Sequence, residues 1–164
     1  EELLFSPTPS WVIICGYSCG GILRGLFVGF LVSLVSLFFT RLAVFSILII
    51  FVYVVLTAIV FSMAGLLNAI FAKKFDDISI VPTFVLTPLT YLGGVFYSVA
   101  LLPKFWQYVS MANPILYMIA GFRYGFLGIS DINVWFGLGM LIVFAVSLFM
   151  INLYLIKKGI GLKS

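Results

Sequence analysis

Residues 42–72 contain no charged side chain, and this apolar run is the feature that most limits how the chain can fold. A helix rises 1.5 Å per residue, so about 20 residues cross the ~30 Å hydrocarbon core of a bilayer. The run is longer than one perpendicular crossing requires, which predicts a helix that tilts or protrudes from the bilayer. A membrane-spanning helix is therefore the expected structure for this part of the chain.

Three further apolar runs have a similar length, at residues 20–39, 78–102 and 134–156. The overall composition agrees, because 64% of residues are hydrophobic and 9% are charged, whereas soluble domains carry about a quarter charged residues. We predict an all-α membrane protein, a polytopic helical bundle of four transmembrane helices that forms one transmembrane domain over residues 1–164. Trp135 and Tyr154 lie near the two ends of the last run, as in an aromatic belt.

Two of the runs contain residues that are unusual in a membrane helix. Arg24 lies near the start of run 20–39, so we expect its long side chain to reach the headgroups. Pro82 and Pro88 interrupt run 78–102 and free backbone carbonyls that neighbours or waters must satisfy. This third span is therefore expected to be kinked and packed against protein.

The stretch 103–128 is apolar but is not typical of a span. Its first residues mix charge with aromatic side chains, as interfacial segments do. Asn113 followed by Pro114 indicates a helix start, with Asn113 as the N-cap, and Gly128 indicates its end. A helix of about 14 residues is too short to cross, so we predict short re-entrant or interfacial helices on the outer face, where Arg123 faces protein or water.

The basic residues predict the orientation. Four crossings divide them six against three, and the positive-inside rule places the larger group, with residues 1–19 and the tail 157–164, in the cytoplasm. The larger group is Arg24, Lys73, Lys74, Lys157, Lys158 and Lys163, and the smaller is Arg41, Lys104 and Arg123. Lys73, Lys74, Asp76 and Asp77 then form a compact charged loop on the cytosolic side.

Small residues recur at helical spacing on the first two spans. One set is Gly21, Gly25, Gly29 and Ser33, and the other is Ala58, Ser62, Gly65, Ala69 and Ala72. Small side chains let helix backbones approach closely in lipid, so both sets predict helix packing, within one subunit or between two. Such a tight bundle suits a transporter or channel better than a lone anchor.

Several chemistries find no support in the sequence. Cys15 and Cys19 share a helix face, and nothing nearby completes a metal site, so we interpret both as inert thiols. No serine has a basic partner for nucleophilic catalysis, and the charge pattern does not favour nucleic-acid binding. The phosphate loop GxxxxGK[ST] is absent, so the chain binds no cofactor of its own and any ATP would be bound by a separate subunit.

The first residues predict a contact with a partner. The chain starts at Glu1 without Met or a signal peptide, which we interpret as a fragment that lacks upstream spans. The segment Glu1, Glu2, Leu3, Leu4 and Phe5 is acidic and amphipathic and ends at two prolines. An anionic leaflet would repel the glutamates, which favours docking on a cytosolic protein.

An ordered set of motifs resembles the ABC-2 type exporter permeases, which are membrane subunits of bacterial ABC transporters. The set comprises Glu1–Leu4 with Pro7–Pro9, Phe75–Ile78, Pro82–Ser98, and Asn113-Pro114 followed by Gly121–Tyr124. The resemblance implies six spans per subunit, of which this chain holds the last four.

The resemblance also implies the following roles. Two cytosolic ABC ATPase subunits and a second permease copy would be partners, and Glu1–Phe5 would lie in or beside the coupling helix. Asn113, Pro114 and Arg123 would belong to an outer gate, and the cargo would be amphipathic: a lipid-linked saccharide, a polysaccharide or a drug. A bacterial inner membrane location follows.

Two other functions stay open at this point. A non-transporting scaffold that anchors a cytosolic partner would not need the kinked span or the re-entrant helix. An ion-coupled transporter would need ionisable groups at mid-depth of its spans, which the four runs do not supply as acids or histidines.

Overall fold

The computed structural model describes residues 9–39, 44–72 and 75–159, with residues 75 and 76 described by their backbone alone. Within these ranges the chain is helical and contains no strand. The predicted coupling residues Glu1, Glu2, Leu3, Leu4 and Phe5 lie outside the described residues, as do Lys73, Lys74 and the side chain of Asp76.

Three helices are long and apolar enough to cross a membrane. They are α1 (Ser10–Phe39), α2 (Ile47–Phe71) and α7 (Val134–Lys158), with mean hydropathies of 2.2, 2.8 and 2.5. The 30 residues of α1 begin ten positions before the predicted span, because residues 10–19 are mostly apolar and contain no proline. The apolar runs therefore predicted these three helices, and α1 extends ten residues further toward the N-terminus than the span predicted at residues 20–39.

The third predicted span is not one continuous helix. It consists of α3 (Phe75–Val81), a π-helical turn (Pro82–Leu86) and α4 (Thr87–Leu92), and it ends in a turn at Gly93. Within the π turn the N–H of Thr87 bonds the carbonyl of Pro82, five residues earlier. Proline lacks the N–H that continues the α-helical pattern, which explains why the change of winding begins at Pro82.

A short 3₁₀ turn (Val99–Leu101) and two helices follow, α5 (Lys104–Met111) and α6 (Pro114–Leu127). The predicted bounds of α6 are confirmed: the Asn113 side chain accepts a bond from the N–H of Ile115, and Gly128 ends the helix with φ of 72°. Glycine adopts this left-handed conformation without a steric penalty.

Helix α2 is the centre of the bundle, since it packs against α1, α6 and α7. Tyr53 is fully buried there, and its hydroxyl donates a 2.6 Å hydrogen bond to the carbonyl of Val134 at the start of α7. A methyl group added at Gly121 of α6 would collide with the Tyr53 ring. The glycine thus permits the close approach of α6 to α2.

Helix α6 runs antiparallel to the first half of α2. Gly121 lies against Tyr53 and Gly125 against Ile50, so the two helices pass each other in opposite directions. The carbonyl of Gly125 accepts bonds of 3.0 Å from the N–H groups of both Phe45 and Ser46. This contact satisfies the N–H groups of the N-cap residue Ser46 and of the residue before it, which have no partner within α2.

Candidate functional site

Arg123 joins three separate segments of the chain at one end of the bundle. Its Nη1 lies 3.1 Å from the Asp131 carboxylate, and its Nη2 donates a 2.9 Å bond to the carbonyl of Gly94. The hydroxyl of Ser98 donates to the same Asp131 oxygen at 2.8 Å. We refer to Gly94, Ser98, Arg123 and Asp131 as the Arg123 cluster. It connects α6, the loop before α7 and the segment that follows α4.

The ion pair is partly open to solvent, with side-chain exposures of 28% for Arg123 and 42% for Asp131. Solvent screens such a pair, so we expect it to contribute at most about 1 kcal/mol to stability. Its geometry matters more, because the two terminal nitrogens of one guanidinium hold a carboxylate and a carbonyl at fixed positions. The cluster therefore sets where residues 94–98 lie relative to α6.

Asn113 lies at the other end of α6 and is 2% exposed. Its amide nitrogen donates a 2.6 Å bond to the carbonyl of Leu89, while its side-chain oxygen caps α6. Leu89 is in the last turn of α4, where carbonyls have no partner within the helix. Asn113 thus bonds backbone groups at the end of α4 and at the start of α6. Pro114 beside it occupies the first position of α6.

The small residues predicted to pack helices have different surroundings. A Cβ added at Gly21 would meet the Ser62 side chain, and one added at Gly25 would lie 3.1 Å from the Cβ of Ala58. Ser62 donates a 3.0 Å bond to the carbonyl of Tyr17, which also joins α1 to α2. By contrast, Gly29 and Gly65 have open space where a side chain would be, Ser33 bonds its own helix at the Gly29 carbonyl, and Ala69 is exposed.

An apolar groove of about 1580 Å³ opens beside the α1–α2 contact. Its walls come from α1 and α2, and Phe122 and Phe126 of α6 close one side. Arg24 is the single charged residue among the described residues that line it. The two cysteines remain free thiols on exposed positions of α1.

The position of Arg24 differs from the expectation. It is the fifteenth of the 30 residues of α1, and its neighbour Gly25 faces Ala58, the twelfth of the 25 residues of α2. Arg24 therefore lies at the level of the middle of α2, about 18 Å from either end of that helix. Arg24 is therefore not near the start of its helix, as the expectation that its side chain reaches the headgroups assumed.

Several residues of these sites were not singled out from the sequence. Asp131 and Ser98 complete the Arg123 cluster, and Asn68 bonds the carbonyl of Ile78. The sequence signal for Asp131 was its charge. Only 9% of residues are charged, and this acid lies eight positions after the predicted outer Arg123. Asp77, from the predicted charged loop, lies near the start of α3.

These features define a polytopic helical membrane protein with long apolar spans, a proline-interrupted helix and a short capped helix held by polar contacts. Residues 1–127 match the family described as ABC-2 type transporter. The chain belongs to that family.

Similar proteins include the inner membrane transport permease YadH of Escherichia coli (strain K12), with 60% identity over 164 residues. The match covers all of this chain and 64% of YadH, so the chain spans less than two thirds of that protein's length. The YadH protein of Shigella flexneri gives the same values. Nodulation protein J of Rhizobium leguminosarum bv. viciae is 26% identical over 105 residues, which are 64% of this chain and 40% of that protein. No solved structure matches the chain.

Proposed function

We propose that this chain is part of the permease subunit of an ATP-driven ABC-2 type exporter in the bacterial inner membrane. The family match over residues 1–127 carries this proposal, and 60% identity to an inner membrane transport permease supports it. The subunit would work as a dimer and form the pathway for an amphipathic cargo, such as a lipid-linked saccharide, a polysaccharide or a drug. We infer a transporter without an ATPase of its own.

We further propose four crossings, with α1, α2 and α7 as three of them and the helix over residues 75–92 as the fourth. The way α6 packs on α2 supports a re-entrant position for α5 and α6. Gly125 lies against Ile50, near the beginning of α2, and the antiparallel course of α6 carries its other end toward the middle of α2. Asn113 would therefore lie inside the hydrocarbon layer, where its bond to Leu89 replaces contacts with water.

The orientation proposed for the subunit has its C-terminus in the cytoplasm. Arg24 is near the middle of α1 and is left out of the count, so five basic residues would lie on the cytosolic side against three outside. The Arg123 cluster and α6 then lie at the outer end of the bundle. Residues Glu1–Phe5, with the charged loop at residues 73–77, would lie on the cytosolic side, where an ATPase subunit could contact them.

Export would follow from a change of access driven by the ATPase. ATP binding can shift the assembly only if it favours one conformation over the other. Closure of the ATPase pair would push the cytosolic segment before α1, and α1 would transmit this movement to α2 through the Gly21–Ser62 contact. Short outer helices held by polar side chains are suited to a gate, because polar contacts can break and re-form as the bundle moves.

The test is affinity purification of the full-length protein from its native membrane, followed by mass spectrometry of the proteins that accompany it. We expect a stoichiometric protein with a phosphate-binding loop, and ATP hydrolysis by the complex. The control is an unrelated polytopic protein with the same tag. If gentle detergents preserve other membrane complexes and no ATPase accompanies this protein, the exporter proposal is wrong.

A further inference from the structure

The groove between α1 and α2 combines a large apolar wall with one cation. Aromatic and aliphatic side chains such as Phe30, Phe51 and Phe61 form most of the wall. Arg24 is exposed to the groove, and no hydrogen bond or ion pair joins it to another residue in the described part of the chain. A permanently charged guanidinium in an apolar environment is costly unless an anion accompanies it.

The depth of Arg24 makes this absence of a partner significant. Its neighbour Gly25 faces Ala58, so Arg24 is level with the middle of α2, about 18 Å from either end of that helix. Ionisable residues at such depth generally face a pathway or a ligand. Thr57, beside Ala58 on the facing helix, also lines the groove, although its hydroxyl oxygen is buried and has no hydrogen-bond partner among the described residues.

The shape of the groove indicates which ligand would fit. A Cβ added at Gly16, Gly20 or Gly29 would meet no other atom within 4 Å. The α1 side of the groove therefore has no side chains at these positions, which leaves space for a ligand. A volume of about 1580 Å³ with apolar walls accepts an alkyl chain. The guanidinium supplies donors that match the oxygens of a phosphate head.

We propose that this groove binds an amphipathic molecule with a phosphate head, whose head lies on Arg24 and whose alkyl chain lies along α1 and α2. The identification of this molecule as exported cargo rests on the function proposed above. Charge complementarity selects the occupant, because a neutral lipid would leave the guanidinium unpaired in an apolar layer. The site would hold the charged head part of the way across the membrane, where lipid offers no polar group.

The test is native mass spectrometry of the full-length protein in dodecyl maltoside, titrated with dodecyl phosphate. We expect one tightly bound dodecyl phosphate per chain, and at least a tenfold higher Kd for the Arg24→Gln variant. Lys104→Gln removes a cation from α5, outside the groove, and should leave the Kd unchanged. Dodecyl maltoside, which is already in excess, provides the neutral head with the same chain, and inorganic phosphate provides the head alone.

Each outcome decides the proposal. Equal Kd values for the wild type and Arg24→Gln, or no bound dodecyl phosphate in the wild type, would overturn it. Binding of inorganic phosphate as tight as that of dodecyl phosphate would overturn the amphipathic ligand, because the alkyl chain would then contribute nothing. The assay contains no nucleotide and no ATPase, so its failure removes the Arg24 site alone. Failure of the purification experiment would remove the exporter function alone.

Discussion

The amide nitrogen of Asn68 on α2 lies 3.1 Å from the carbonyl oxygen of Ile78, the residue four positions before Pro82. In a regular helix that carbonyl would accept a bond from the N–H of residue 82, which proline does not have. Asn68 thus supplies the donor that Pro82 removes. Through this contact α2 supports the first turns of the proline-interrupted helix.

Replacement of Asn68 by leucine should therefore destabilise the protein. The exposed Ile78 carbonyl would lose its donor, at a cost of about 0.5–1.5 kcal/mol in the free energy of unfolding. Thermal unfolding of the purified protein in detergent measures the loss. Pro82→Ala restores the backbone N–H, so the double variant Asn68→Leu/Pro82→Ala should lose less than the sum of the two single variants. Strict additivity would show that the two residues do not share the Ile78 carbonyl.

A second prediction concerns the contact of α6 with α2. Alanine at Gly121 would place a methyl group inside the Tyr53 ring, so α6 would have to move away from α2. We expect a loss of about 1–3 kcal/mol in unfolding free energy. Gly139→Ala on α7 is the matched control, because a Cβ there meets no atom within 4 Å, and it should be neutral or slightly stabilising. Similar unfolding temperatures for the two variants would refute the predicted close packing.

The third prediction concerns the Arg123 cluster. Asp131→Asn removes the charge that holds Arg123, and residues 94–101 should become less restrained. Hydrogen–deuterium exchange of that segment should be several-fold faster, while the free energy of unfolding falls by no more than about 1 kcal/mol. Lys104→Gln, a nearby loss of charge outside the cluster, should leave exchange of the segment unchanged. Unaltered exchange in Asp131→Asn would mean that the cluster does not position residues 94–101.

The features that could be predicted from the sequence are those whose causes are local. Asn113, Pro114 and Gly128 act within a few residues of the helix ends they define, so the bounds of α6 followed from their types alone. Long apolar runs likewise predicted α1, α2 and α7 because apolar length is a local property. The depth of Arg24 did not follow, since it depends on which residue of α2 faces Gly25.

Contacts between distant residues were also beyond local patterns. Arg123 was singled out, but its contacts with Gly94 and Asp131 require the chain to return twice to the same end of the bundle. Pro82 indicated that some neighbour must satisfy a carbonyl, without indicating that the neighbour is Asn68. Tyr53 gave no sequence signal, because an aromatic residue in an apolar run is ordinary, and its role depends on Gly121 and Val134.

The last prediction concerns the acidic start of the chain, which lies outside the described residues. If Glu1 and Glu2 contact basic residues of an ATPase subunit, reversal of both charges to lysine should weaken that contact while membrane insertion is unaffected. We expect the amount of ATPase that co-purifies with the full-length protein to fall several-fold at low salt, and the difference from the wild type to shrink as salt increases, because charge interactions between exposed groups are screened. The matched control is the neutral pair Glu1→Gln/Glu2→Gln, which should have an intermediate effect. Unchanged co-purification of the ATPase with both reversals in place would exclude a coupling role for these two residues.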